Sequence, residues 1–595
     1  MARTASGKQR IERIINKQKN GDRYVYERVS EYDKEKRYYK SVSTKLLGIM
    51  KPGSDDRYDL LPTRPKAKSK QYGTTSLVSN NTCTFSARTG MIDIVHYISE
   101  KSGVHKELMD AIKEDAGLRD KAETLAWYNF ATDGATWPGV KAWCVKYFGI
   151  LPYKFNPISQ DTYHDVFAAI GANESIKQTV FKSRAAALGD GDIVALDSTT
   201  VVTVSTRNSG GRKGVHKDGV IRKLFKIVYI YNIDLRRPIA YAIIPGNIPD
   251  SVTVSNSIKQ IKALTGKKVQ LVDDAGYCNE ETIAIMFKEK QSFVTRIEAD
   301  TKWICELIDK HRDELEHGGE FIDCDPKFSG IAETVTRTFH AGKKKGQDPF
   351  DIEGTLHVLI FYSSVNKAKD DVEFRTTFKS YADDLINGKS LCDDRAKVEN
   401  FAKKYMNIER NELGEIESIN VKRKEYDKRL KYSGYIVLIS DVETDLNKGL
   451  VKFRLREYIE EQIKNHKSHC GGDTGRVWDL DTLDGQTFIE FEGLTLHEAF
   501  ESKINAMKKG LGQVTGDSAH DTTDTLKKER KLKHWIERTS LHNILKWFDA
   551  VEYVQVSGNT AAQQWTTECT ERDRMFIDQL GMDSDRFGMI SFQKI

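Results

Sequence analysis

The stretch DIVALDSTTVVTV at 192–204, followed by RKLFKIVYIYNI at 222–233 and RPIAYAIIP at 237–245, decides the fold of this chain. Each segment is rich in β-branched and aromatic residues and is bounded by polar or glycine-containing turns, which predicts a strand. The short connections predict that the three strands are antiparallel neighbours.

Alternating helices and strands follow these three segments. The predictions are a helix capped by Asp250 and Ser251 and ending near Leu264, a buried strand at 268–274 (KVQLVDD), a helix at 279–289 and a strand at 291–297 (QSFVTRI). Three strands, helix, strand, helix, strand is the order of a ribonuclease-H-like sheet. The predicted fold class is therefore an α/β core with a mixed sheet flanked by helices.

Changes of pattern divide the rest of the chain. Strands alternate over 24–50, 62–82 is typical of a linker, 355–363 is one clear strand in an irregular stretch, and 449–468 is predicted as one helix. The predicted divisions are a basic N-terminal module (1–70), a helical region (71–188), the core's first part (189–300), an α+β insertion subdomain (301–432), the core's second part (433–510) and a helical C-terminal region (511–595).

The positive charge of the chain is concentrated at its N-terminus. Residues 1–70 hold 19 Lys and Arg against 9 Asp and Glu, whereas the formal net charge of all 595 residues is only +5. Tyrosines such as Tyr24 and Tyr38 interleave with these charges, which favours a phosphate-facing surface over a solvated arm.

Other classes of protein are disfavoured by missing patterns. No apolar run of about 18 residues predicts a membrane segment, and the eight cysteines form no CxxC pair, which is typical of a reducing compartment. We therefore expect a cytoplasmic protein with no membrane partner. A nucleotide-binding enzyme is disfavoured because no GxxxxGK[ST] loop occurs.

Two carboxylates lie on predicted core strands. Asp197 lies inside an apolar strand, where an ionised side chain is costly unless a partner such as a metal ion compensates it; the alternative is a bond to Ser198 or Thr199. Asp274 ends the buried strand in LVDDAGY, but adjacent Asp273 competes with it, and capping of the next helix is an alternative. Mg²⁺ and Mn²⁺ prefer such carboxylate ligands.

A third acid lies in VKFRLREYIEEQIKNHKSH at 451–469. Phe453, Arg456, Glu460 and Lys467 are spaced i, i+3, i+7 and i+14, which on one helix places them within roughly 60° of one another. An Arg and a Lys on the face of a metal-binding Glu are suited to hold phosphates. The alternative is a solvated helix with ordinary Arg–Glu pairs.

Two nearby features are not interpreted as metal sites. His466, His469 and Cys470 resemble a partial zinc site, but no second ligand pair follows at suitable spacing, so zinc is not predicted. Asp250 is interpreted as a helix N-cap rather than as a fourth metal ligand.

These residues also resemble those of a known family. Phe453-x2-Arg456-x3-Glu460-x6-Lys467 is similar to the Tyr-x2-Arg-x3-Glu-x6-Lys signature of one branch of bacterial insertion-sequence transposases with an Asp-Asp-Glu (DDE) triad. Blocks similar to that branch also occur in order along the chain. They are LDSTTV around Asp197, PGNIPD at 245–250, DAGY at 274–277 and YSGYIVLISD at 432–441.

The resemblance implies a cut-and-paste DNA transposase. Asp197, Asp274 and Glu460 would be the catalytic residues and would hold two Mg²⁺ ions, for which Mn²⁺ can substitute. Phe453, Arg456 and Lys467 would contact DNA, although Phe453 lacks the tyrosine hydroxyl and could only stack on a base. The long interval from Asp274 to Glu460 would accommodate the insertion.

The resemblance also implies DNA and protein partners, and it leaves two alternative functions open. The N-terminal module and the helical region would bind terminal inverted repeats, and a homodimer assembled partly through the C-terminal region would join them to target DNA beside the bacterial nucleoid. One rival is a nuclease on the same fold without strand transfer. Another is a domesticated DNA-binding protein, although neither predicted aspartate nor the glutamate is missing.

Overall fold

The computed structural model divides into two compact units, Met1–Thr74 and Thr75–Ile595. The residues that the structure describes are 3–5, 9–17, 23–33, 38–51, 53–60, 74–76, 83–147, 149–203, 205, 210–216, 221–318, 320–342, 348–387, 395–411, 414–472, 474–475, 477, 479–513, 523–557, 562–567 and 569–586. No helix among them is both long and apolar enough for a membrane crossing.

The first unit is an antiparallel sheet of four strands in sequence order. Its strands are β1 (Arg3–Ala5), β2 (Gln9–Lys17), β3 (Arg23–Asp33) and β4 (Tyr38–Ile49). β3 and β4 confirm the strands predicted over 24–50. Arg28 on β3 donates to Glu12 on β2, and the rings of Tyr32 and Tyr39 lie 5.2 Å apart. The predicted linker lies mostly outside the described residues.

A helical region precedes the central sheet, as predicted. Its elements are the short strands β5 (Thr74–Ser76) and β6 (Cys83–Arg88) and the helices α1 (Gly90–Ser102), α2 (Val104–Ala111), α3 (Ala116–Ala131), α4 (Val140–Lys146), α5 (Gln160–Gly171) and α6 (Glu174–Ala186). Side chains of Asp115, Ser159 and Asn173 accept hydrogen bonds at the starts of α3, α5 and α6.

The core strands and helices lie where the sequence places them. They are β7 (Ile193–Thr203), β8 (Arg212–Val215), β9 (Ile221–Asn232), β10 (Arg237–Pro245), α7 (Asp250–Thr265), β11 (Gln270–Asp273), α8 (Glu280–Lys288) and β12 (Ser292–Ile297). β10, β9 and β7 are antiparallel neighbours, and β11 and β12 continue the sheet parallel to β7. β9 is buried along most of its length because it is covered on both faces.

The stretch predicted as a separate insertion is partly continuous with this sheet. Its elements are α9 (Lys302–His317), β13 (Glu320–Phe321), β14 (Ser329–Ala341), β15 (Phe350–Tyr362), α10 (Ser364–Ile386), α11 (Arg395–Tyr405), β16 (Met406–Arg410), β17 (Ile416–Val421) and α12 (Arg423–Lys431). β13 to β15 belong to the central sheet, whereas β16 and β17 pair only with each other. Periodicity alone did not reveal this pairing, because register with a distant strand is not encoded locally.

The predicted helix 449–468 is two helices. After β18 (Tyr435–Ser440), which pairs with both β12 and β15, come α13 (Leu446–Arg454) and α14 (Glu457–His469). Between them the Arg456 N–H donates to the Phe453 carbonyl, the Tyr458 N–H to the Leu455 carbonyl and the Ile459 N–H to the Arg456 carbonyl. These bonds span three residues, so the chain tightens for one turn rather than continuing as one α-helix.

One long helix packs the helical region onto the core. After β19 (Thr474–Gly475), which pairs with β7, α15 (Leu480–Gly510) lies against α3 and α5. A Cβ on Gly485 would lie 1.8 Å from the Phe167 carbonyl oxygen, and one on Gly493 would lie 2.3 Å from Asn129. Glycine is therefore required for these close approaches.

The C-terminal region is not only helical, contrary to the prediction. Its elements are α16 (Thr523–Arg538), α17 (Leu541–Phe548), β20 (Glu552–Ser557), β21 (Ala562–Thr566) and α18 (Glu571–Leu580). β20 pairs with β21 and with β6, more than 450 residues earlier in the chain. Such a distant partner is invisible to local periodicity.

Candidate active site

Asp197 lies on the face of the sheet that α14 covers. It is directly opposite Tyr229 on the antiparallel neighbour β9, so the two side chains share a face. The Tyr229 ring packs 5.5 Å from the ring of His466 on α14. The Ser198 N–H donates to Asp197 Oδ1 at 2.7 Å, so the predicted alternative contact exists through the backbone.

The register of β11 against β7 bears on the choice between Asp274 and Asp273. Its last pair is Val272 with Ala195, and Asp274 follows the end of β11 in an extended conformation, so continued alternation would bring it level with Asp197. Side chains alternate between faces along a strand, so Asp273 points to the opposite face. Asp273 is fully buried, and this burial raises its pKa to about 7, assisted by the charge of Asp274.

Tyr277 connects the turn after β11 with Asp197. Burial holds the pKa of Tyr277 well above its usual value, and the Asp197 carboxylate is the strongest charge acting in the same direction. Tyr277 follows Asp274 by only three residues, so the turn that carries Asp274 lies beside Asp197.

Arg456 joins the second and third predicted acids. Its Nη1 donates to Glu460 Oε1 at 2.6 Å and lies 3.8 Å from Asp274 Oδ2. The Arg456 side chain is 12% exposed, whereas those of Asp274 and Glu460 are 40% and 49% exposed. The two carboxylates are therefore partly open to solvent, and both approach one nitrogen of a mostly buried guanidinium.

Phe453 supports this guanidinium from within the core. Its side chain is 9% exposed, and the Arg456 guanidinium carbon lies 5.2 Å from the centre of its ring. The sequence analysis expected the Phe453 ring to stack on a DNA base. The ring is buried and contacts Arg456 instead. A phenylalanine, with no hydroxyl, suits this apolar position.

Three carboxylates on one face are suited to divalent metal ions, and one atom in particular fits that use. Asp274 Oδ1 is buried and accepts no hydrogen bond, as expected of an oxygen that a cation would satisfy. Among the described residues, however, the three acids do not bring their oxygens within 4.8 Å of one another. Arg456 instead compensates the charges of Asp274 and Glu460.

Lys467 lies away from the three acids, at a separate cavity. Seven residues after Glu460, it is about 10 Å further along α14. It is half-buried and lines a cavity of about 440 Å³ whose other walls include Trp137, Tyr163 and Phe167. No local pattern predicted this aromatic wall, because its residues lie in the helical region far from Lys467 in the chain.

Asp250 is not the helix cap that the sequence predicted. Pro249 occupies the cap position, and Asp250 is the first residue of α7. Its Oδ1 accepts hydrogen bonds from the Ser198 hydroxyl at 2.7 Å and from Lys226 Nζ at 2.8 Å. Lys226, which sequence reasoning missed, attracts the carboxylate away from the helix terminus and fixes the strand next to Asp197.

Comparison with known proteins identifies the family. The model of the "Transposase DDE domain" family matches residues 188–488, and no curated protein matches. A solved structure titled as a piggyBac transposase synaptic complex with hairpin DNA is similar at 7% identity and a TM-score of 0.31, covering 76% of this chain and 85% of that chain. That likeness is too distant to carry an argument about fold or mechanism. Because the family model spans half of the 595 residues and includes Asp197, Asp274 and Glu460, this chain belongs to the DDE-domain transposase family.

Proposed function

We propose that this chain is a cut-and-paste transposase that cleaves the ends of an insertion sequence and joins them to target DNA. Membership of the DDE-domain family supports transposition. The observation that carries the proposal further is the convergence of Asp274 and Glu460 on Arg456, on the sheet face where Asp197 also lies.

The proposed core is ribonuclease-H-like. Three antiparallel strands followed by two parallel ones, in the order β10-β9-β7-β11-β12, support that assignment. The segment between β12 and β18 would be the insertion, with its hairpin of β14 and β15 continuing the sheet. Phe453-x2-Arg456-x3-Glu460-x6-Lys467 supports membership of the insertion-sequence branch whose signature it resembles.

Asp197, Asp274 and Glu460 would hold two Mg²⁺ ions, for which Mn²⁺ can substitute. When bound, these ions activate the attacking water or 3′-hydroxyl and stabilise the leaving oxygen. Arg456 keeps Asp274 and Glu460 close while they are not bound to a cation. If Glu460 served as a metal ligand, the Arg456 guanidinium would be available to donate to a DNA phosphate.

DNA binding would be shared by several parts of the chain. The basic first unit, with Tyr38 and Tyr39 about half exposed, supports a phosphate-contacting role. Lys467 at the aromatic cavity would hold a second phosphate. Both ends of the element must be held together for joining, so we propose that two copies of the chain assemble on paired ends.

The test is cleavage and strand transfer on a duplex that carries the terminal sequence of the encoding element, with Mg²⁺. Glu460→Gln is compared with Glu461→Gln, which changes the adjacent exposed acid off the predicted face. We expect Glu460→Gln to abolish both reactions while DNA binding persists, because loss of a direct ligand should exceed the roughly 10–100-fold effect of an outer-shell partner.

Other outcomes would reject the proposal in distinct ways. Cleavage that persists in Glu460→Gln would remove Glu460 from the active site. Cleavage by the unchanged chain without strand transfer would indicate a nuclease, and binding without cleavage a domesticated DNA-binding protein.

A further inference from the structure

A second group of metal-ligand side chains lies on α15. His497, Glu498 and Glu501 bring one nitrogen and two carboxylate oxygens within 4.8 Å of one another. We call these three residues the α15 cluster. His497 and Glu498 are buried, and Glu501 is half-buried.

The α15 cluster contains an unsatisfied polar atom. His497 is 7% exposed, and its Nδ1 is buried without a hydrogen-bond partner. That nitrogen lies 3.8 Å from Glu498 Oε1, too far for a hydrogen bond. A buried nitrogen facing a carboxylate across such a gap is suited to share a cation with it.

The negative charges of the carboxylates in the cluster are only weakly stabilised by neighbouring groups. Glu498 receives long hydrogen bonds from Asn465 at 3.4 Å and Tyr231 at 3.5 Å. Glu498 is only 5% exposed, and Glu501 is half-buried. Buried acids of this kind are costly to ionise unless a cation accompanies them.

The position of His497 is fixed by its surroundings. The His469 ring on α14 stacks on it with centroids 5.1 Å apart and planes 14° apart. Asp133, at the end of α3, accepts a hydrogen bond from His469 Nδ1 and has a positive φ of 58°. The bond to Asp133 orients the His469 ring that stacks on His497.

The α15 cluster takes no ligand from His466, His469 and Cys470, where the sequence predicted no zinc site. His466 packs on Tyr229, with its Nε2 3.3 Å from Glu490 Oε2.

We propose that the α15 cluster binds one divalent transition-metal ion, with Zn²⁺ as the fitting species, separately from the three predicted catalytic acids. Imidazole nitrogen disfavours Mg²⁺ and suits Zn²⁺. Bonds of about 2.0–2.2 Å in tetrahedral geometry separate ligands by about 3.4 Å, so the cluster needs only a modest contraction. Asn465 on α14 donates to Glu498, so the cluster lies against the helix that carries Glu460.

The test measures metal binding by the full chain without DNA. Glu460→Gln is the background, because it weakens the candidate catalytic site and leaves the α15 cluster unchanged. In this background we compare Glu501→Gln and His497→Gln with Asp481→Asn, which alters an exposed acid on the same helix. Bound zinc is measured after loading and desalting, and the melting temperature is measured with and without Zn²⁺.

We expect the background and the Asp481→Asn control to retain one zinc per chain and to melt higher with Zn²⁺. Glu501→Gln and His497→Gln should each weaken this binding at least about tenfold. Zinc retention and thermal shift unchanged by both substitutions would overturn the proposal, as would absence of zinc from the background protein.

A spectroscopic measurement tests the proposal even if the cluster variants fail to fold. Co²⁺ added to the Glu460→Gln protein should give the visible absorption of a low-coordinate site with a nitrogen ligand, and Zn²⁺ should displace it. A spectrum matching that of hexa-aquo Co²⁺ would overturn the proposal without any change to the α15 cluster.

Discussion

Replacing Arg184 with methionine should destabilise the second unit more than any surface change. Its fully buried guanidinium donates to Glu107 at 3.0 Å, Glu492 at 2.6 Å and Thr495 at 2.8 Å, and thereby joins α6 to α2 and α15. Without it, Glu107 keeps Arg237 as a partner, but Glu492 becomes a buried acid without its cation.

The size of the effect follows from this burial. Removing one partner of a buried ion pair costs about 3–5 kcal/mol. With an unfolding entropy of about 2 cal/mol/K per residue, a unit of roughly 520 residues should melt about 3–5 °C lower. Differential scanning calorimetry of the full chain measures this, with Arg119→Met as the control because that arginine is only partly buried and pairs with the adjacent Asp120.

The stability lost in Arg184→Met should also depend on pH. Burial raises the pKa of Glu492 to about 7, above its unfolded value of 4.5, so its ionisation costs stability as pH rises through 7. The charge of Arg184 opposes the increase in the pKa of Glu492. Arg184→Met should therefore be most destabilised above pH 7 and less so toward pH 5. A melting shift below 1 °C, or one independent of pH, would refute the assigned role of the network.

Three further predictions concern DNA. Arg456→Ala should reduce cleavage more than Arg456→Lys, since lysine keeps the charge between Asp274 and Glu460; equal activities of the two variants would contradict this. Lys467→Ala should weaken binding to all sequences alike and lower the slope of log affinity against log salt by about one; an unchanged slope would exclude a phosphate contact. Deleting residues 1–74 should abolish specific binding to element ends, measured by gel shift, while the second unit melts as before; unchanged end binding would disprove the role of the first unit.

Much of the fold could be predicted because local patterns encode it. The strands around Asp197 and Asp274 are continuous apolar runs between turns, and α8 begins at a capping box formed by Asn279 and Thr282. Pairings between distant segments, such as β20 with β6 or β18 with β15, depend on register and tertiary packing, which leave no periodic signal.

The assignment of Asp197, Asp274 and Glu460 to one site stays a prediction. Arg456 and Glu460 form an i,i+4 ion pair, the contact that the sequence analysis gave as the alternative to a metal site, and Arg456 also lies 3.8 Å from Asp274. The break at Arg456 was missed because no proline or glycine marks it. His497, Glu498 and Glu501 were also missed, because charged residues on a long helix are ordinary unless packing buries them.

The central claim is that Asp197, Asp274 and Glu460 form one metal-dependent site, and two adjacent aspartates test it most directly. Asp274→Asn and Asp273→Asn make the same chemical change at neighbouring positions, one just after β11 and partly exposed, the other the last, fully buried residue of β11. On an element-end duplex with Mg²⁺, we predict that Asp274→Asn loses cleavage while retaining DNA binding, and that Asp273→Asn still cleaves. Cleavage that survives Asp274→Asn and is lost in Asp273→Asn would contradict the account.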